Sequence, residues 1–371
     1  LLLSAHPNLA NSMRTVQLLL VALLLATSLI SKTASAHDDG KGIEHSAPAG
    51  VDAAGPFSSS NRVQFLSQVP ILSMGGSSGH LNNDIWGWTD SQTGHEYALV
   101  GRMNGTSFVD VTDPFNPIYV GNLPSHNNAS SVWRDIKVNG DYAYIVADGQ
   151  SHGLQIFDLT ALRTATPGTN FSNTPGDPDN PGGYHLFHHN SFTNAHNIAI
   201  NEATNFAYVV GAAPPDRGLR FLDLANPIKP EYVGAFSADG YTHDTQVVSY
   251  FGPDTTYVGR EVAFSSNEDT LTIVDLSNKS APVQLSRTGY APHERYTHQG
   301  WLSEDHQFFF MNDELDEPNP APTTRTHIWD VRNLDSPTYL GFYSASVTSK
   351  DHNLYVHDGL IYAANYTSGL R

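Results

Sequence analysis

Along most of the chain the apolar residues come in short runs of three to five, each closed by an aspartate and a polar turn. The runs are Phe108-Val109-Asp110-Val111, Ile156-Phe157-Asp158-Leu159, Phe221-Leu222-Asp223-Leu224, Ile273-Val274-Asp275-Leu276 and Ile328-Trp329-Asp330-Val331, and their aspartates are 48, 65, 52 and 55 residues apart. Three of them run on to a common ending, Ile118-Tyr119-Val120-Gly121, Glu231-Tyr232-Val233-Gly234 and Thr338-Tyr339-Leu340-Gly341. An aromatic-rich run precedes each, as in Tyr97-Ala98-Leu99-Val100, Tyr142-Ala143-Tyr144-Ile145 and Phe206-Ala207-Tyr208-Val209. A third phrase opens each unit: Asp84-Ile85-Trp86, Asp135-Ile136-Lys137, His196-Asn197-Ile198, His243-Asp244-Thr245, His298-Gln299-Gly300 and His352-Asn353-Leu354. Runs this short, separated by turn residues and free of helical periodicity, predict four strands per unit.

Four strands recurring about every 50 residues predict an all-β chain, a β-propeller of four-stranded blades. Six opening strands and five complete units point to six blades, with seven as the alternative if much chain is missing. The last residues, Gly369-Leu370-Arg371, match Gly218-Leu219-Arg220 at the start of an earlier third strand, so the sequence is expected to stop inside its sixth unit. Arg62 to Val69 reads as an outer strand that could complete the last blade and close the ring. We take the propeller to span 62–371.

The N-terminal segment differs. Arg14 precedes an apolar run, Leu18 to Ile30, which ends in Ala34-Ser35-Ala36. A basic start, a short apolar stretch and a small-x-small site mark a secretory signal peptide, too short to span a bilayer. Residues 1–36 are therefore expected to be upstream sequence and signal, and 37–61, rich in Gly, Ala, Ser and Pro, a flexible leader. The location implied is exported: extracellular, cell-surface or periplasmic. The chain has 371 residues with 19 Lys+Arg against 37 Asp+Glu, a net charge of −18, which argues against a nucleic-acid partner. The absence of Cys rules out disulfides, thiolate metal sites and a Cys nucleophile.

The phrases Leu271-Thr272-Ile273-Val274-Asp275-Leu276, Phe310-Met311-Asn312-Asp313-Glu314-Leu315-Asp316-Glu317 and Asp351-His352-Asn353-Leu354-Tyr355 resemble those of LVIVD-repeat proteins of the choice-of-anchor B family. The resemblance spans about residues 60 to 371. It implies a bacterial exported propeller, tethered to membrane or wall by a C-terminal anchor that this sequence does not reach. It implies nothing definite about chemistry.

Candidate chemistry centres on the opening phrases. His196, His243, His298 and His352 hold equivalent places in four successive units, and Asp84 and Asp135 are read as holding that place in the first two. Converging imidazoles and carboxylates would suit a divalent transition metal at the channel mouth, or acid–base work. The plainer reading is that each histidine orients a turn in its own blade. Asn197, Asp244, Gln299 and Asn353 follow directly and would form an outer shell. A second candidate is Asp313, Glu314, Asp316 and Glu317, an acidic loop expected on the rim, either solvated or holding calcium. A third is Tyr184 to Asn190, with three histidines, in the long insertion from Ala161 to Thr193, expected to lean over the channel as a partial lid or to be an ordinary surface loop. The strand-ending aspartates are expected to close turns through their side chains. No G-x-S-x-G elbow, Walker loop or dinucleotide fingerprint is present. The reading that follows is an exported binding or scaffold propeller for an extracellular protein, polysaccharide or small molecule, with no assigned catalysis and no cofactor assigned with certainty. The alternative is a metal-dependent hydrolase or lyase.

Overall fold

Each of the five complete units forms an antiparallel sheet whose two middle strands are mostly apolar. The computed structural model describes residues 2–4, 64–316 and 323–371. The signal sequence and leader (apart from Leu2–Ser4), and Glu317 of the acidic loop, lie outside the described residues. The chain divides into two compact units, Leu1–His188 and His189–Arg371. Among the described residues no helix is long and apolar enough to cross a membrane.

Besides the short pair of Leu2–Ser4 and Gln64–Ser67, the first unit holds two sheets. The first orders Asn82–Thr89, Glu96–Arg102, Gly105–Asp110 and Ile118–Pro124 side by side, and the second orders Arg134–Asn139, Tyr142–Ala147 and Leu154–Asp158. The second unit holds three four-stranded sheets: Asn197–Asn201 to Glu231–Phe236, Asp244–Ser249 to Val283–Thr288, and Thr297–Leu302 to Thr338–Ser344. A two-stranded sheet follows, Leu354–His357 with Leu360–Ala363. Successive four-stranded antiparallel sheets of this kind are the architecture of a β-propeller.

The middle strands are buried along their whole length, as in Glu261–Ser266 and Leu271–Asp275, because neighbouring sheets cover both faces. That is why they read as continuous apolar runs and not as alternations. Outer strands such as Glu231–Phe236 are mostly exposed or half-buried. Aromatic side chains stack from sheet to sheet within each unit, Phe108 on Phe157 at 4.9 Å in the first and Phe264 on Phe309 at 5.8 Å in the second. Trp329, fully buried, closes the cluster between the last two complete sheets.

Two recurring phrases have a direct structural cause. All five strand-ending aspartates accept the N–H two residues on, with Thr112, Thr160, Ala225, Ser277 and Arg332 as donors at 2.7–3.0 Å. These are the expected side-chain-closed turns. The Tyr-Val-Gly or Tyr-Leu-Gly ending is a β-bulge. Gly121 faces Phe108 while Tyr119 faces Val109, so Val120 is the extra residue, and Val233 and Leu340 are the extra residues at Gly234 and Gly341. Gly341 takes φ +114°, where a side chain would be strained.

The long insertion does not form a lid. Leu186–His189 is the fourth strand of the second sheet, reached after a short 3-10 helix, Leu159–Thr164. On the way, Thr169–Asn170 pairs in parallel with Gly121 and Asn122 of the first sheet. The stretch read as a ring-closing outer strand is a strand, Gln64–Ser67, and it pairs with Leu2–Ser4.

Candidate metal centre

Within the second unit, the opening strands of successive sheets lie side by side, and a histidine stands within two residues of the start of each. Their backbones are fixed from behind: the N–H of His196 bonds to Val210 O at 3.1 Å and that of His243 to Ser266 O at 2.9 Å. The four rings consequently form a row. Centroids are 4.4 Å apart from His196 to His243, 4.1 Å from His243 to His298 and 4.3 Å from His298 to His352. His196, His243 and His298 are buried and His352 is half-buried. His298 is the extra residue of a bulge, since Thr297 faces Asp313 while Gln299 faces Asn312. Such a bulge re-aims the side chain it carries.

The polar residues after His196 and His298 stitch one opening strand to the next. Asn197 Nδ2 donates to His243 O at 3.0 Å, and Gln299 clamps both backbone groups of Leu354 at 2.9 and 3.0 Å. Asn312, from the second strand of its sheet, donates to His352 O at 2.7 Å. His243 Nδ1 lies 2.9 Å from the carbonyl of His298. A carbonyl only accepts, so Nδ1 carries the proton and the neutral ring keeps its lone pair on Nε2, the tautomer that metal-ligating histidines adopt when a backbone oxygen holds the other nitrogen.

Glu314 joins this row from the turn after Phe308–Asp313, its N–H on Tyr296 O at 3.2 Å. One carboxylate oxygen lies 3.7 Å from His298 Nε2, and the other accepts the hydroxyl of Tyr366. Ligand atoms of His298, Glu314 and His352 all lie within 4.8 Å of one another. Ligands about 2.1 Å from a tetrahedral ion stand roughly 3.4 Å apart, so modest rotamer shifts would close the set on one ion. Two imidazoles and a carboxylate suit a borderline divalent ion and leave a fourth position open. Tyr366 meets the ring of His352 edge-on at 5.1 Å, and burial together with the Glu314 charge raises its phenol well above the usual range. Its backbone sits at φ +33°, an uncommon conformation for a residue this bulky.

The other expected members are placed differently. Asp84 and Asp135 do not hold the histidine's position. Lys137 faces Tyr144 as Ala199 faces Tyr208, which sets Arg134 level with His196 and Asp135 level with Asn197. In the first sheet the bulge residue Asn83 takes the histidine's place and Asp84 stands one further on. A slip of one residue moves a side chain to the opposite face of the strand. Asp84 is a stitch like Gln299, accepting Ile136 N–H at 2.8 Å. Asp135 holds Lys137, whose ammonium lies 4.6 Å over the Trp86 ring. Burial and the Asp135 charge push Asp84 up to about 8.

The acidic loop is not a solvated rim. Asp313, Glu314 and Asp316 are buried and turn to three separate places. Asp313 takes the Tyr290 hydroxyl and the N–H groups of Arg295 and Tyr296, both at 2.7 Å. Asp316 pairs with Arg325 at 3.2 Å and His327 at 2.9 Å. These three carboxylates therefore do not converge on a calcium ion. In the insertion, His185 pairs with Asp158 at 3.3 Å, His188 bonds to His152 O at 2.8 Å and His189 to Ser191 Oγ at 2.6 Å, each a local contact. Sequence reasoning missed Tyr366 altogether and set Glu314 in the wrong group. A further triad, Glu304, His357 and Asp358, is largely exposed, and the Glu304 carboxylate is taken by the N–H groups of Asp358 and Gly359 at 2.8 and 3.2 Å.

Comparison with known proteins bears on fold more than chemistry. Residues 132–161 and 262–288 match the LVIVD repeat. No curated protein matches the chain. A functionally unknown protein from Desulfotomaculum acetoxidans superposes with a TM-score of 0.50 at 10% identity, over 76% of this chain and 80% of that one. A Lactobacillus plantarum protein gives 0.44 at 14% identity, over 76% and 74%. Raptor from Chaetomium thermophilum gives 0.48 at 9% identity over 79% of this chain, which spans only 23% of Raptor's length. Likeness at such identity concerns the fold alone.

Proposed function

We propose that this chain is an exported, six-bladed LVIVD-repeat propeller of the choice-of-anchor B kind, displayed at the cell surface, which binds its ligand through a divalent transition ion held by His298, His352 and Glu314. The observation that carries this reading is the convergence of two imidazoles and one carboxylate within 4.8 Å. The signal-like segment from Arg14 to Ala36 supports export. The ligand is an extracellular polymer or small molecule offering an oxygen donor to the open coordination position.

A metal-dependent hydrolase or lyase is the second reading, favoured by the half-buried Tyr366, whose hydroxyl donates to Glu314 beside the ion's position. The test is elemental analysis of the protein from residue 37 onward, beside the His298→Ala/His352→Ala double variant. About one zinc, manganese, iron or copper ion per chain, lost in the variant, is expected. Metal-free protein that takes up none of these ions on titration overturns the proposal. Turnover of a chromogenic ester or glycoside panel by the loaded wild type alone would favour the enzyme.

A further inference from the structure

The first unit buries two guanidinium groups, and among the described residues no acid bonds to either. Arg102 is fully buried and Arg134 is 3% exposed. Arg102 donates to Ser107 Oγ at 2.6 Å, Gly75 O at 2.8 Å, Asn104 Oδ1 at 2.9 Å and to Asn122 Oδ1. Arg134 donates through Nε to Arg102 O at 3.1 Å, through Nη1 to His152 Nε2 at 2.8 Å and through Nη2 to Ser125 Oγ at 2.7 Å. Every acceptor is neutral. His152 is neutral too: its Nδ1 donates to Gly153 O at 3.0 Å, and burial and Arg134 hold it well below its ordinary value.

The same unit shows what a compensated arginine looks like. Arg163 forks onto both oxygens of buried Asp90 at 2.7 and 2.9 Å. Buried charge without a counter-charge is strongly disfavoured, and Arg102 and Arg134 also repel each other. A guanidinium has five N–H donors, so Arg134 keeps two and Arg102 one beyond those engaged above. Next to Ser125, His126 Nδ1 is buried without a hydrogen bond, its ring stacked at 3.7 Å on half-buried His188. Unspent donors and uncompensated positive charge thus meet in one place.

We propose that Arg134, backed by Arg102, holds a small oxyanion, the carboxylate or phosphate group that a guanidinium fork takes bidentately. This anion is either free or part of the propeller's ligand. The test is run in EDTA, so its outcome does not depend on the metal centre.

The experiment follows the thermal midpoint of the whole protein in phosphate, in acetate and in chloride at matched ionic strength. Wild type should rise saturably by several degrees with phosphate or acetate over chloride. Response to phosphate alone would mark an inorganic ion, and response to acetate a ligand carboxylate. Arg134→Met should respond to neither and should be no less stable than wild type in chloride, because the buried charge is gone. Arg134→Lys, which keeps charge without the fork, should respond at least tenfold more weakly. An oxyanion response equal to that of chloride, or one kept in Arg134→Met, overturns the proposal. If Arg134→Met fails to fold, dialysis of labelled phosphate and acetate against wild type decides, and binding of neither at one per chain overturns it.

Discussion

The second unit sets His196, His243, His298 and His352 where the first sets Asn83 and Arg134. Both units build this position the same way, at the start of an opening strand, and Asn83 and His298 are even carried on the same kind of bulge. What differs is the chemistry. The second unit gathers lone pairs and a carboxylate, and the first gathers N–H donors and positive charge. The frame is indifferent to the residue, because the core lies in the middle strands and the stitch between strands is made one residue later, by Asp84 in one unit and by Asn197 and Gln299 in the other. The contrast shows a site grafted on a repeating scaffold.

The sharpest way to break this contrast is to remove the donors that set the second unit apart. His298→Ala with His352→Ala should cost at least about 100-fold in transition-metal affinity by calorimetric titration. Asp84→Ala with Asp135→Ala should leave that affinity unchanged, since neither belongs to the histidine's position. An effect of the aspartate pair on metal affinity would undo the register argument.

A smaller effect concerns pH. Asp84 is pushed up to about 8, above its unfolded value near 3.8, so the folded chain holds this proton more tightly. Its contribution is fully present below about pH 4 and is lost as pH rises through about 8. Asp84→Asn keeps an acceptor for Ile136 and removes the titration. Relative to this variant, wild type should lose about 1–3 kcal/mol of stability between pH 4 and 8. Parallel melting curves for the two proteins over that range would refute the raised Asp84 carboxyl.

The smallest effect is one where the units should agree. Asp223→Ala in the second and Asp158→Ala in the first each remove the same turn bond, at 2.7 and 3.0 Å, and each should cost about 1 kcal/mol in denaturant melts. A difference of more than about 1 kcal/mol between them would mean that the turns are not equivalent.

Much of the fold was legible in sequence because the middle strands are covered on both faces and carry mostly apolar residues. The closing aspartates were legible because their turn chemistry is local. The histidine row was legible because each member opens the same phrase of a recurring unit. The two aspartates were misaligned because short polar phrases give no cue to a one-residue shift in register. The fourth strand of the second sheet was hidden because residues 159–185 separate it from its neighbour and it lacks the Tyr-Val-Gly ending. Glu314 and Tyr366, 52 residues apart, meet only through tertiary packing, which no local pattern announces.

The excursion from Asp158 to Leu186 is pinned midway by Thr169–Asn170 on Gly121 and Asn122. A Cβ on Gly121 would stand 2.5 Å from Thr169 O, so the pin depends on that glycine. Pinning leaves 171–185 as a loop whose ends are both held by sheets, and loop-closure entropy grows so slowly that doubling its length costs only about 0.6 kcal/mol. The exposed Gly182-Gly183 tip is therefore a natural port for grafting: a foreign epitope or a small guest domain could be carried there while the repeat on either side keeps its register.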